Sequence, residues 1–156
     1  MTTHPNRTGG GSTGAELLDA VGRLNRWVTH HASWPIPPAQ ARVLSQIDSL
    51  GAARVSDLAR MEHCTQPTMT TQVHRLQQQG FVTRTPSRED ARVNWISLTD
   101  QGRQVLTQAR NARTAIIESL IAQLDESDRA GLQDAVLSLS QLLAIAYRQP
   151  SSSQES

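Results

Sequence analysis

The chain has 156 residues, a length typical of one domain, and a formal net charge of +1, which excludes a strongly basic surface over the whole molecule. All 15 of its Lys and Arg residues are arginines, so reactions that need a lysine, such as Schiff-base formation or Walker-type phosphate binding, are excluded. Cys64 is the single cysteine and cannot form an internal disulfide, and without an apolar leader or membrane span in the sequence we expect a cytoplasmic protein.

A flexible arm and two helices are predicted at the start of the chain. Residues 1–14 are rich in Gly, Ser and Thr, which predicts an arm without fixed structure, and residues 149–156 predict a disordered tail. Between 15 and 32, apolar residues recur every three or four positions, as on one face of a helix. A second helix is expected to begin at Pro38, which suits a first turn, and to end at the capping residue Gly51.

The next segment predicts a short helix, a tight turn and a longer helix. Ser56 is expected to cap the short helix and Thr65 the longer one, with turn-like residues at 62–64 between them. The longer helix is predicted to end at Gly80 and to bury one face. That face consists of Met69, Val73 and Leu76. This succession is the helix-turn-helix pattern.

A β-hairpin and two long helices are predicted to follow. Residues 81–85 and 93–98 are rich in β-branched and aromatic residues and indicate two strands, joined by the charged loop 86–92. A helix-turn-helix followed by such a hairpin is a winged helix. Thr99 is expected to cap a long helix, and Asp125 to begin the last helix, whose first turn is acidic and complements the helix dipole.

We therefore expect a mostly α fold with a small β-hairpin wing, in a single domain over residues 15–148. The winged helix-turn-helix occupies about 37–98. The flanking helices, about 15–32 and 99–147, carry apolar stripes outside this core, and dimerisation would cover them.

Short motifs in this part of the chain resemble the MarR family of bacterial regulators, the multiple-antibiotic-resistance type. They are VSDLA at 55–59, TQPTMT at 65–70, GFV at 80–82, DAR at 90–92 and LTDQG at 98–102. The D-x-R wing followed by L-T-x-x-G at the start of the next helix is the most specific part. The resemblance extends over nearly the whole chain, from about Ala15 to Tyr147.

The resemblance implies a cytoplasmic homodimeric winged-helix transcriptional regulator, commonly a repressor. Its first helix and its last two helices would form the dimer, and a dimer predicts a pseudo-palindromic operator in double-stranded DNA. One position departs from the family pattern, because Thr71 stands where relatives often carry an arginine. The preferred operator sequence therefore does not transfer from relatives.

Base contacts are assigned to the longer helix of the pair, the recognition helix. Gln66 can pair bidentately with adenine, threonine methyls can contact thymine methyls, and Arg75 can reach guanine or a phosphate. The residues assigned to DNA in and before this helix are Ser56, Thr65, Gln66, Pro67, Thr68, Thr70, Thr71, Gln72 and Arg75. The alternative is that these are ordinary solvated residues of a surface helix.

Arginines of the wing form the second group assigned to DNA. Arg88 and Arg92 are predicted to enter the minor groove, whose potential is most negative in A·T-rich DNA, and Asp90 would orient one of them. Arg84, at the base of the wing, either contacts a phosphate or is a plain surface charge. From residue 54 to 92, six arginines stand against four acidic residues, a modest local excess of positive charge.

Regulation could come from a small molecule or from oxidation, since the resemblance implies either. The side chains of Trp27, His30, His31 and Trp34 are candidates for a pocket that takes a small aromatic or lipophilic effector, although tryptophans also simply pack. Cys64 is a candidate redox sensor, although a free cysteine is more often a buried structural residue.

Two other function classes stay open. The long apolar stripes also fit a helical interaction or anti-regulator module that binds no DNA, but such a module has no need of an arginine-bearing hairpin. An enzyme is disfavoured, because the motifs G-x-S-x-G and H-E-x-x-H are absent from the sequence. No cofactor and no metal is expected, since His30 and His31 are adjacent and point in different directions on a helix.

Overall fold

The computed structural model describes residues 12–87 and 94–148. Within these ranges the chain forms six helices and one two-stranded antiparallel sheet, which confirms the predicted mostly α fold with a small hairpin. The elements in chain order are α1 (Thr13–His31), α2 (Pro38–Leu50), α3 (Val55–Met61), α4 (Gln66–Gln78), β1 (Val82–Pro86), β2 (Asn94–Leu98), α5 (Asp100–Ile121) and α6 (Glu126–Arg148). In the described part of the chain, no helix is both long and apolar enough to cross a membrane.

The chain divides into two structural units, residues 1–116 and 117–156. The core of the first unit is aliphatic, and α2, α3, α4, β2 and α5 all contribute to it. Its fully buried side chains include Val43, Leu44, Ile47, Leu58, Met69, Val73, Leu76 and Ile96. The predicted buried face of the longer helix is thereby confirmed, and the opposite face of α4 is left for solvent.

Helix α4 begins and ends as its sequence predicts. The hydroxyl oxygen of Thr65 accepts a bond from the Thr68 N–H at 3.4 Å. At the other end Gly80 has a φ of +77°, and the Phe81 N–H bonds to the Leu76 carbonyl at 2.9 Å. A left-handed residue with this bond is the Schellman arrangement, which only glycine adopts without steric cost.

Helices α1 and α3 begin earlier than predicted. The prediction that Ser56 caps α3 is wrong, since Arg54 holds that position without a side-chain bond and Ser56 is the second helical residue. The reason lies outside the helix: Ala53 bridges Ile96 of β2 through two backbone hydrogen bonds, which fixes the chain just before Arg54, so the helix begins two residues earlier than predicted. Helix α1 begins at Thr13, inside the predicted arm 1–14. Residues 1–11 of that arm and the predicted tail 149–156 lie outside the described residues.

Strands β1 and β2 pair antiparallel, in a register that runs from Val82 opposite Leu98 to Pro86 opposite Asn94. Strand β1 is shifted one residue along the chain from the predicted 81–85. The loop residues 88–93 lie outside the described residues, and with them the predicted minor-groove residues Arg88, Asp90 and Arg92.

The second unit consists of the end of α5 and the 23-residue helix α6, which buries none of its side chains. Asp125 accepts the Asp128 N–H at 2.8 Å, which confirms the predicted start of this helix. Its exposed large apolar residues are Leu132, Val136, Leu137, Leu142, Leu143, Ile145 and Tyr147. Within this unit a mostly apolar groove of about 480 Å³ is lined by two α5 residues, Glu118 and Ile121, and by five α6 residues, Arg129, Leu132, Gln133, Val136 and Leu137.

Candidate nucleic-acid interface

The turn between α3 and α4 sets the direction of the recognition helix. His63 adopts a left-handed φ of +50°, which is uncommon for a residue other than glycine. The Cys64 N–H bonds to the Ala59 carbonyl at 3.0 Å, so this turn also closes in the Schellman manner. Cys64 itself is half-buried and packs against the core.

The outer face of α4 is polar and open. Gln66, Thr68, Thr70, Thr71 and Arg75 are all exposed, whereas Gln72 is half-buried. Thr70 donates its hydroxyl hydrogen to the Gln66 carbonyl at 2.8 Å, and Thr71 donates to the Pro67 carbonyl at 3.1 Å. Because these hydroxyl hydrogens are used within the helix, both threonines offer DNA an acceptor oxygen and a methyl group, as contact with a thymine methyl requires.

The start of α2 flanks this face, which the sequence did not predict. Pro37 and Gln40 come beside α4 and form one wall of a groove of about 440 Å³. The α4 side of the groove consists of Thr68, Thr71, Gln72 and Arg75. Four of the residues assigned to DNA are therefore grouped along one surface.

Two arginines of different character lie on or against the described part of the wing. Arg84 on β1 is half-buried, and its Nε atom is buried with no hydrogen-bond partner in the described part of the chain. Arg54 is exposed before α3, and its guanidinium lies 4.9 Å from the centre of the Trp95 ring. Sequence reasoning counted Arg54 in the local positive charge but assigned it no contact, because its stacking on β2 depends on the fold.

The L-T-x-x-G motif joins the wing to α5. Thr99 donates its hydroxyl hydrogen to the Gly80 carbonyl at 2.6 Å and accepts the Gly102 N–H at 3.0 Å, which confirms it as the cap of α5. A Cβ at Gly102 would overlap the carbonyl oxygen of Phe81 and lie 2.9 Å from the carbonyl carbon. Glycine is therefore required because the backbone of α5 touches the chain that leads into β1.

The four residues assigned to an effector fall into two places. His31 stacks on Trp27 with ring centres 4.0 Å apart, and His30 meets His31 edge-on at 5.1 Å, all three at the end of α1. Trp34 donates its ring N–H to the Thr29 carbonyl at 2.8 Å. Trp34 also lines a separate groove.

This second groove lies between α2 and α5 and has a volume of about 170 Å³. Its lining includes Trp34, Pro38, Ala41, Arg42, Ser45, Leu106, Ala109, Arg110 and Arg113. The guanidinium of Arg113 lies 5.8 Å from the centre of the Trp34 ring. The groove therefore combines an aromatic wall with three arginines, a combination suited to an anionic ring compound. Elsewhere in the described ranges, no three His, Cys, Asp or Glu side chains come together as metal ligands would.

Comparison with known proteins agrees with this geometry. The model of the MarR family matches residues 36–93. Mb0904 of Mycobacterium bovis, an uncharacterized HTH-type transcriptional regulator, is 31% identical over 122 residues, which are 78% of this chain and 85% of that protein. The chain belongs to the MarR family.

Two further proteins are similar to this chain in sequence or structure. The HTH-type transcriptional repressor MdtR of Bacillus subtilis is 30% identical over 93 residues, 60% of each chain. The crystal structure of transcriptional regulator Tm0710 from Thermotoga maritima is 25% identical, with a TM-score of 0.68 over 87% of this chain and 94% of that one. This MarR-family protein is thus a DNA-binding transcriptional regulator with a winged helix-turn-helix.

Proposed function

We propose that this MarR-family protein is a cytoplasmic homodimeric repressor that binds a pseudo-palindromic operator through the exposed face of α4. The proposal rests on the contrast between the two faces of α4, one buried and one exposed. Met69, Val73 and Leu76 are fully buried, while the opposite face exposes Gln66 and Arg75 with threonines between them. Buried anchors fix the helix, and the outer face has the side-chain types that read adenine, thymine and guanine edges in the major groove.

The dimer is inferred from uncovered apolar surface. Of the exposed large apolar residues, four lie on α1 and seven on α6, against one each on α2 and α3. Leu18 is 75% exposed and Leu137 63%, values that a lone soluble chain rarely shows on one helix after another. A second copy that covers these helices would place two recognition helices about 34 Å apart, one turn of B-DNA.

Repression and its relief are the finer part of the proposal. MdtR is by name a transcriptional repressor, and occupying a promoter is the simplest outcome of operator binding. We assign the effector to the groove beside Trp34, because there an aromatic wall meets arginines. Trp27, His30 and His31 form a cluster of their own and would contribute only where the partner copy covers them.

A gel-shift titration against the DNA upstream of the protein's own gene tests the proposal. We expect a specific complex whose affinity falls steeply with salt, because phosphate contacts release counterions. Gln66→Ala should relax sequence preference, and Gln104→Ala, at an exposed position of α5, is the matched control that should change nothing. Absence of any specific complex at moderate salt would overturn the proposal and favour the helical interaction module.

A further inference from the structure

Two side chains of α2 bind one carboxylate, that of Glu62, at the turn of the helix-turn-helix. Arg42 donates from Nε and from Nη2 to Oε2 of Glu62, both at 3.1 Å. Gln46, one helical turn further along α2, donates its side-chain amide to the other carboxylate oxygen, Oε1. The Glu62 side chain is only 11% exposed, whereas that of Arg42 is 65% exposed, so the carboxylate is shielded from water and the guanidinium is open to it. A carboxylate held out of water depends on the donors that it has, which here are Arg42 and Gln46.

Glu62 lies at the end of α3, directly before the turn that sets the direction of α4. It is the last residue before His63, whose left-handed φ is costly for a side chain with a Cβ, and Thr65 caps α4 two residues later. A turn with a strained residue is not the conformation that its own sequence favours most. The contacts from α2 therefore help to select the turn geometry that aims the recognition helix.

Arg42 also lines the groove beside Trp34. Of the other two arginines there, Arg110 pairs with Asp48 at 2.8 Å. Arg113 donates to the neutral side-chain oxygen of Asn25 at 2.6 Å, and its Nε is buried without a hydrogen-bond partner in the described ranges. The groove thus has positive charge that no carboxylate of the described residues neutralises, next to the arginine that holds the turn.

We propose that Arg42 is a positioning residue shared by the DNA-binding turn and the effector groove. In the free protein it holds Glu62 and so fixes the direction of α4. An aromatic carboxylate that stacks on Trp34 and meets Arg113 draws Arg42 away from Glu62, and the turn is released. The volume of about 170 Å³ suits a single ring, since a cavity of about 150 Å³ holds benzene. The link to DNA release rests on the repressor function proposed above.

The first arm of the test needs no ligand. Glu62→Gln removes a negative charge from a DNA-binding protein, so a purely electrostatic effect would tighten operator binding. A positioning role predicts the opposite: about tenfold weaker operator binding, with binding to random DNA unchanged or stronger, because the variant weakens hydrogen bonds that a charged pair makes. Asp100→Asn is the matched control, since it removes a carboxylate from an exposed arginine pair at the start of α5 and should leave the specificity ratio unchanged.

Binding curves should be measured well below the melting temperature of each variant, so that unfolding of the protein is not read as weaker affinity. Arg42→Met, which keeps the apolar stem, should reproduce the reduced operator specificity. Equal or tighter operator binding by Glu62→Gln would overturn the positioning role.

The second arm uses benzoate as the probe, with benzyl alcohol as its neutral counterpart. In a Trp27→Phe, Trp95→Phe background, Trp34 is the sole tryptophan, and benzoate should quench its fluorescence while benzyl alcohol does so far less. Benzoate should also speed amide hydrogen exchange at residues 62–66 in this protein, but not in the same protein with Arg42→Met, which still binds benzoate through Arg113. If exchange rises equally with and without Arg42→Met, the coupling does not pass through Arg42. If millimolar benzoate does not quench the fluorescence of Trp34, the groove is not a site for aromatic carboxylates.

The exchange measurement does not involve DNA. If the protein bound no operator at all, the repressor function would fail, while the response of the turn to benzoate would still confirm or refute the coupling through Arg42.

Discussion

Gly102 offers the sharpest stability test, because its side chain would have to occupy space already filled by backbone. In Gly102→Ala the new Cβ overlaps the Phe81 carbonyl oxygen and lies 3.2 Å from the Phe81 Cα. The same carbonyl accepts the Thr99 N–H at 3.0 Å, so it cannot turn aside without breaking that bond. Helix α5 must therefore move away from the base of the wing.

Two opposing terms set the magnitude. Overpacking a filled site costs about 1–3 kcal/mol, and the upper half applies here because backbone, not a flexible side chain, is displaced. Alanine offsets about 0.5–1 kcal/mol of this as the better helix former. We expect a net decrease of about 2 kcal/mol in the free energy of unfolding, which for a chain of 156 residues is about 4–8 °C in Tm.

Urea unfolding followed by circular dichroism measures this change. Gly131→Ala in α6 is the matched control: the same substitution inside a helix, with no heavy atom within 4 Å of the added Cβ. It should raise the free energy of unfolding by about 0.4–1 kcal/mol. If Gly102→Ala were neutral or stabilising, or if both variants were destabilised equally, the explanation through the Phe81 carbonyl would be refuted.

Three further outcomes follow from the geometry. His63→Gly should leave the urea midpoint unchanged or raise it, because it relieves a left-handed residue, whereas His63→Val should cost about 1–2 kcal/mol; equal destabilisation by both would contradict strain at this turn. Leu137→Arg, at a 63% exposed apolar position of α6, should raise the dimer dissociation constant at least about a hundredfold by sedimentation, while Gln104→Arg should not; an unchanged dimer would exclude this part of α6 from the interface. Arg75→Ala should reduce the slope of log affinity against log salt by about 1 on specific and random DNA alike, and an unchanged slope would mean that Arg75 contacts no phosphate.

Local signals in the sequence predicted the ends of α4 correctly. Thr65 and Gly80 act within three residues of the backbone they cap, so their roles depend on little else. Ser56 has the same capping chemistry and was assigned wrongly, because the start of α3 is set by the bridge between Ala53 and Ile96, more than forty residues apart. Capping residues are reliable only where no distant contact fixes the chain first.

The candidate site shows the same division. The outward face of α4 could be read from the spacing of Met69, Val73 and Leu76, since a helix with one apolar face must present the other to solvent. The hydrogen bonds between Arg42 and Glu62 could not be predicted from the sequence, because both are ordinary surface residue types separated by twenty positions. Nothing in the spacing of Trp34 indicated that it would line a groove with three arginines instead of packing with the histidines close to it in sequence.

The sequence by itself determined the order of the elements, the buried face of the recognition helix and the family, because periodicity, caps and motifs act over one or two helical turns. Only the tertiary structure decided where α3 begins, why Gly102 has to be glycine, and that the turn and the groove share Arg42. Those features depend on packing between segments distant in the chain, where a few tenths of an ångström separate a contact from a clash and no local pattern records the distance.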